Sequence, residues 1–547
     1  MPYIGKRPSA GVRQRYQYTA TAGQTTFSGT DLGNLTLTYT DNNFVDVFQN
    51  GVLLKGGGTD YTATSGTSVV LATGASVSDV IEIIVYDVFS VGNFYNRTDS
   101  DSRYVNHNSS TAGPDNFIAG NNAGNAIASG GNYNTLVGNE AGAALTTGDQ
   151  NVAVGYQALD AIDEGIRNVA IGTTALTSDT KGEASTAIGH GALYAQNFTS
   201  STASYNTAVG YHAGVNVTTG TQNTLMGSLV GDAITTGEKN TAVGYDALTA
   251  LTAGDRNTAV GKGALTTFNV TDGSNTNNTA IGHDAGNDLT TGTNNTFIGA
   301  EAGAKATTSS HNVAIGYGSF GGVDASSANN GEQNTCIGRF AGRNLEGNAD
   351  ANTLVGDGAG ENMTTGDDNI CIGHDAGITG SPGGNITTGS YAIALGNNNI
   401  SSFSCKVSLT ATSDERDKTD FKDLDLGLDF VNDLKPVTYV WDSRINYVDT
   451  TKDDWKTTVD LDKITSDGSK KDDDLQVGFK AQDVIALEEA AGYKLSDKTN
   501  LTATVTNDGK QYGLSYERFV PMLVKAIQEL SAKNDALEAR IKKLEEG

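Results

Sequence analysis

Short apolar runs closed by glycine recur through the middle of the chain. The unit reads Asn240-Thr241-Ala242-Val243-Gly244, then Asn257-Thr258-Ala259-Val260-Gly261, with variants from Gly120 to Gly396. The closing glycines stand about 17 residues apart, stretched by about four to six at some turns, which is the spacing of a repeat array or solenoid. The motif predicts a short strand. Ala247-Leu248 supplies a second apolar patch, and Ala253-Gly254-Asp255 a turn signal. Thr146-Thr147-Gly148 and Thr290-Thr291-Gly292 hold the same turn place in other units. Two adjacent apolar residues in a strand face opposite ways. One lines the coil; the other needs a partner that nothing else in the chain is apolar enough to supply. Several copies packed about a common axis meet that need. Roughly 16 coils at about 4.8 Å each predict a rod near 75 Å long. Asparagines opening most motifs predict a ladder of side-chain amides along it.

The flanks have other periods. Leu35, Leu37 and Tyr39 alternate with threonines, and Phe44 to Phe48 is an apolar run. Asn50-Gly51 marks a tight hairpin into Val52-Leu53-Leu54, and Val69 to Leu71 and Val80 to Tyr86 complete a small all-β set, a sandwich. Residues 93–113 are polar and charged and predict a linker or collar, with a short helix around Ser100 to Val105. Near the C-terminus, Leu523, Ile527, Leu530, Asn534, Leu537, Ile541 and Leu544 step alternately by four and three, a heptad seam. Charges on both sides of the seam favour a coiled coil over a helix packed on its own domain. Asn534 suits a register-setting polar position.

Composition narrows the function. Glycine is abundant at 68 and proline scarce at 6, which excludes a collagen-like array. The net charge of -27 repels phosphate backbones and argues against nucleic-acid binding. The sequence predicts no membrane insertion, and its N-terminal stretch does not read as a signal peptide. Three cysteines, Cys336, Cys371 and Cys405, without a C-x-x-C spacing, argue against disulfides and zinc; Cys336 and Cys371 hold motif places where alanine is usual. His190, His283 and His374 each follow a motif glycine, where tyrosine also occurs, so they read as surface ring positions. No metal or cofactor is expected. Acids scattered in turns do not form the groove pair of a glycosidase.

Several stretches resemble known families. VDVFQNGVLLKGGGTDYTATSGTSVVL is similar to the N-terminal modules of phage tail fibres, over roughly residues 12–90, which implies virion attachment. The repeat is similar to the β-roll heads of trimeric autotransporter adhesins, which share an S/N-x-A-I-G core; that likeness implies three copies, a homotrimer. After residue 413 lie Ser413-Asp414-Glu415-Arg416-Asp417-Lys418, Leu434-Lys435-Pro436-Val437-Thr438-Tyr439, Gly478-Phe479-Lys480-Ala481-Gln482-Asp483-Val484 and Leu514-Ser515-Tyr516. Pro521-Met522-Leu523-Val524-Lys525-Ala526 follows. In this order they resemble the intramolecular chaperone domain of phage fibres and spikes, the S74 peptidase family, over residues 413–547. That resemblance implies a domain that trimerises and folds the preceding fibre and then cuts itself off between Thr412 and Ser413. Ser413 would be the nucleophile and Lys418 its general base. Read as residues alone, Ser413 also fits a helix N-cap followed by acids, and Lys418 a solvated lysine. Five residues apart on a regular helix, the two would point about 140° apart, so they meet only across a turn or between chains. Asp417 stands where the family often has leucine.

The expected fold is mostly β: an N-terminal β-sandwich (1–92), the linker (93–113), a trimeric β-solenoid or β-roll shaft (114–412) and a C-terminal α/β chaperone domain (413–547) whose coiled coil covers 517–546. The expected role is a phage tail fibre, made in the host cytoplasm and carried on the virion. Its partners would be tail or adaptor proteins at residues 1–92 and a host cell-surface receptor, such as a glycan, at the far end. The rival readings are a polysaccharide-degrading tail spike and a bacterial trimeric adhesin.

Overall fold

The computed structural model describes residues 13–86, 115–128, 130–321, 327–406, 410–451, 455 and 459–547. The linker 93–113 and its short helix lie outside them. The chain forms two compact units, Met1–Asp101 and Ser102–Gly547.

The first unit is a sandwich of two antiparallel sheets. Its strands are β1 (Gln14–Thr19), β2 (Gln24–Ser28), β3 (Val45–Gln49), β4 (Val52–Leu53), β5 (Tyr61–Thr62), β6 (Ser68–Ala75) and β7 (Val80–Val85). One sheet has the order β1-β7-β3-β4 and the other β2-β6-β5. Tyr16, Phe27, Val47, Val69, Ile81 and Ile83 fill the space between. Asn50 and Gly51 both have positive φ, 47° and 81°, the conformation a two-residue hairpin needs. The stretch from Leu35 to Tyr39 departs from expectation. Alternation puts Leu35, Leu37 and Tyr39 on one face, yet only Leu37 and Tyr39 are buried while Leu35 is exposed, and no regular strand forms. Leu37 N–H donates to Gly29 and Tyr39 N–H to Gly66, so its hydrogen bonds are divided between two segments.

In the second unit, sixteen three-residue strands, from Phe117–Ala119 to Ile393–Leu395, stack in one parallel sheet. Thr241, Ala242 and Val243 pair in register with Thr258, Ala259 and Val260. The middle residue points into the coil and is fully buried, as Ala242 is. The flanking residues share the outer face. There the apolar column stays open, with Ile171 37 %, Met226 46 % and Ile372 44 % exposed.

The glycine and asparagine of the motif have separate causes. Gly244 has φ of +135°, and a Cβ on it would lie 2.5 Å from the carbonyl oxygen of Gly261 in the next coil. Gly244→Ala is expected to cost at least about 1–3 kcal/mol from backbone strain alone, read as a lowered melting temperature. Asn240 is fully buried and satisfied on every side. Its N–H donates to Asn223 Oδ1 (3.0 Å) and its Nδ2 to Gly254 O (2.9 Å), while its Oδ1 accepts from Asn257 N (2.9 Å). The ladder therefore joins each side chain to the next backbone. Asn240→Ala leaves the Asn257 N–H and the Gly254 carbonyl without these partners; about 1–3 kcal/mol for each is the expected loss in denaturant unfolding.

The ladder has one substitution and one end. Ser185 replaces asparagine, and Gln196 bridges the gap by donating to Ser185 Oγ (2.8 Å) and accepting from Asn206 Nδ2 (2.9 Å). The same Gln196 donates to Asp179, whose buried carboxyl is pushed above the usual range by desolvation. At the far end Ala392 N–H donates to Asn369 Oδ1 (3.0 Å), and alanine has no side-chain oxygen to continue.

Beyond the array, a small α/β region packs around Leu426, Phe430, Val484, Phe519 and Met522. It contains helix α1 (Leu428–Asp433), an antiparallel pair Val437–Tyr439 with Gln476–Gly478, helix α2 (Ala481–Ala490), a hairpin Ala503–Val505 with Tyr512–Leu514, and helix α3 (Phe519–Glu545). α3 begins two residues later than the sequence spacing predicts, after a one-turn 3-10 helix Tyr516–Arg518. Phe519, Met522 and Ala526 dock one side of its first turns. The heptad residues lie uncovered, from 45 % exposed at Leu523 to 79 % at Leu544. Among the described residues, no helix is long and apolar enough to cross a membrane.

Candidate functional site

Ser413 and Lys418 stand where the array chain enters the C-terminal region. Between them Glu415–Asp417 make a single 3-10 turn. Its N-cap is Asp414, not Ser413: Asp414 Oδ1 accepts from Arg416 N at 2.9 Å. Arg416 also forks onto that carboxylate, with Nη2 to Oδ2 at 2.6 Å and Nε to Oδ1 at 3.1 Å. These bonds from Arg416 hold the Asp414 carboxyl below its ordinary range. Lys418 leaves the turn extended (φ -128°, ψ 151°), and its N–H donates to Glu415 O. Because the connection is one tight turn rather than a regular helix, the lysine side chain folds back. Its Nζ donates to Ser413 Oγ at 2.5 Å.

Thr412, Ser413 and Lys418 are all exposed in the single chain. A lysine takes a proton from serine only as the free amine, a form that burial favours. The Arg416 fork offsets one of the three nearby acids. Glu415 and Asp417 remain, both exposed.

The other motif residues build the fold of the C-terminal region. A Cβ on Gly478 would lie 2.3 Å from Tyr516 Oη. That oxygen accepts from Phe479 N at 3.1 Å, and Phe479 stacks on Phe519 with ring centres 5.4 Å apart. The G-F-x-A-Q and L-S-Y segments thus lock together. Glu488 was not singled out by sequence. Buried on α2, it accepts from Thr502 N (2.7 Å), Thr502 Oγ1 (2.5 Å) and Leu501 N (3.2 Å), tying down the loop before the hairpin. Only its long-range partners reveal that role.

Residues 413–493 match the Peptidase_S74 family model, described as chaperone of endosialidase. The chain therefore carries a chaperone-of-endosialidase domain behind a β-solenoid. The match opens at Ser413 and ends before the hairpin and α3. No curated protein and no solved structure matches the chain.

Elsewhere, among the described residues, the histidines lie on the outer face of the array. His190 stacks on Tyr211 (ring centres 5.5 Å apart), His283 lies 3.2 Å from Asp284, and His374 lies 3.3 Å from Asp375. Among the described residues, no group of three or more His, Cys, Asp or Glu side chains is placed to hold a metal ion. Cys336 and Cys371 occupy inward places in the array, and burial pushes the Cys371 thiol up to about 12. Cys405 is exposed.

Proposed function

We propose that this chain is the subunit of a homotrimeric phage tail fibre, carried on the virion. Residues 1–92 dock on tail or adaptor proteins, the solenoid is the shaft, and its far end meets a host cell-surface receptor. The observation that carries the reading is the pair of apolar surfaces left open on one chain: the outer column of the array and the heptad seam of α3. Both are continuous and both are answered by further copies of the same surface. A long parallel array is slow to pair and prone to slip. A local coiled coil aligns three chains first, and the array then pairs in register.

The proposed self-cleavage follows from the junction. Ser413 lies on the C-terminal side of the bond to be cut, so its Oγ attacks the carbonyl of Thr412 through a five-membered ring. Lys418 Nζ takes the hydroxyl proton and passes it to the departing Ser413 nitrogen. The Thr412 carbon–nitrogen bond breaks as the carbon–oxygen bond forms. Water then hydrolyses the ester, leaving a Thr412 carboxylate and restoring the Ser413 hydroxyl. Because both residues are exposed in one chain, packing of neighbouring chains over the junction supplies the burial that frees the amine.

Sedimentation equilibrium tests the assembly. Three copies per particle are expected; a soluble, folded single copy overturns the fibre reading.

A further inference from the structure

The parallel sheet of the array ends at Ile393–Leu395, and among the described residues no strand lies against its far edge. Along the array, the first and third residues of each strand bond forward. Thr241 N–H donates to Asn257 O of the next coil (2.8 Å), and Val243 O accepts from Gly261 N (2.8 Å). Ile393 and Leu395 hold those two places in the last strand. Their side chains are 67 % and 47 % exposed. A row of forward N–H and C=O groups with no strand ahead is a template for one more.

The chain itself turns back at this edge. Ile400 N–H donates to Asn397 O (3.2 Å), and Asn399 N–H donates to Asn397 Oδ1 (3.0 Å). Gly396 has φ of +71°, and a Cβ on it would meet Ile400 Cγ1. Antiparallel pairing continued from Asn397–Ile400 sets Leu395 opposite Ser402, Ala394 opposite Phe403, Ile393 opposite Ser404 and Ala392 opposite Cys405. Bonded pairs alternate along an antiparallel ladder, so after Asn397–Ile400 they fall at Leu395–Ser402 and Ile393–Ser404. Those are the two strand residues whose forward groups await a partner. In the same register Phe403 and Cys405 face the coil interior beside Ala394 and Ala392, and the serines face outward. Phe403 and Cys405 alternate with Ser402, Ser404 and Lys406, the period of a half-buried strand.

In the intact chain, residues 401–406 are exposed and form no strand. They lead to a domain that is itself held on the last coil, where Asp508 Oδ2 accepts from Asn385 N (3.1 Å). The segment is therefore tethered at both ends.

We infer that the open edge of Ile393–Leu395 is a docking surface, and that its partner is Ser402–Cys405 of the same chain, added as an antiparallel strand after the C-terminal domain is cut away. The inference rests on the proposed removal of residues 413–547, which frees one end of the segment. The added strand covers the edge and closes the interior of the last coil under Phe403.

The test separates this docking from self-cleavage. A thrombin recognition sequence is inserted after the exposed Thr412 in a full chain carrying Ser413→Ala, so that added protease makes the cut. Cys336→Ala and Cys371→Ala give those places the residue usual in the repeat. Ala392→Cys then sets a thiol directly opposite Cys405, in a non-bonded pair, where side chains are close enough for a disulfide. After oxidation with diamide, denaturing gels without reductant and intact mass are expected to show at least tenfold more 392–405 disulfide in the cut chain than in the uncut one. Ile393→Cys, on the outward face, is expected to give none. No disulfide after the cut, equal yield before it, or equal yield from Ile393→Cys overturns the inference. A disulfide joining two chains overturns the assignment to the same chain and gives the edge to a neighbouring copy. A second measurement needs no new cysteine. In the Ser413→Ala chain with the thrombin sequence, Cys336 and Cys371 are buried and Cys405 is exposed, and the reaction of Cys405 with a thiol reagent is expected to slow at least tenfold on cutting. An unchanged rate overturns the inference. A wild-type chain that stays at full mass counts against self-cleavage alone, because the thrombin route still frees the segment.

Discussion

Ser413→Ala is expected to leave the chain at its full mass, whereas the wild type yields a fragment ending at Thr412. Intact mass under denaturing conditions reads both. The substitution removes the only oxygen that can close the five-membered ring, so the loss is complete rather than partial. Lys418→Met is expected to slow the fragment's appearance by about 10²–10⁴-fold, the range for removing a positioned base. Its methionine keeps the length of the stem but cannot take the proton. Asp417→Leu removes a negative charge next to Lys418 in the chain and is expected to speed cleavage. Fragment from the Ser413→Ala chain would sink the assigned nucleophile. An unchanged rate for Lys418→Met would sink the assigned base.

The second large effect is on assembly. Ile527→Asp with Leu537→Asp places acids in both alternating positions of the α3 seam. Burying an isoleucine or leucine side chain contributes about 1.5–3 kcal/mol, so each substitution removes roughly 5–9 kcal/mol over three copies. The buried carboxylates add a further cost. The variant is expected to sediment without trimers and to produce no fragment, because the exposed junction is no longer covered. Lys542→Asp, on the outer face of the same helix, is the control and is expected to leave both readouts unchanged. Trimers in the seam variant would show that the solenoid alone drives association.

The features legible in the sequence are those the fold imposes again and again. Gly244 and Asn240 answer constraints that return every coil, and recurrence makes them visible without a structure. The α3 seam is visible for the same reason. What stayed hidden depends on partners far along the chain. The Asn385–Asp508 bond spans 123 residues, and neither residue has a local pattern that announces it. Gln196 bridging past Ser185, and Glu488 holding Thr502, are likewise single solutions to single places. At Leu35 to Tyr39, alternation found the buried Leu37 and Tyr39 but not the exposure of Leu35, because strand pairing also needs one continuous neighbour, which alternation does not encode.

The junction was legible in a different way. Helical periodicity separates Ser413 from Lys418, and resemblance alone put them together as a pair. The short turn capped by Asp414 is why periodicity fails there. Arg416 was part of the motif, but its fork onto Asp414 depends on that turn and could not be read beforehand.

The ending of the ladder at Ala392 makes reach a quantity that changes in whole steps. Every asparagine rung passes one bond onward, Gln196 carries it past Ser185, and the final residue withholds it. Excising Asn240 to Arg256 would bring Asn257 to the place Asn240 held, under Asn223, with the chemistry of both termini intact. The particle would shorten by one increment of about 4.8 Å. The length of the array can therefore change by duplicating or losing single units, without redesigning either extremity.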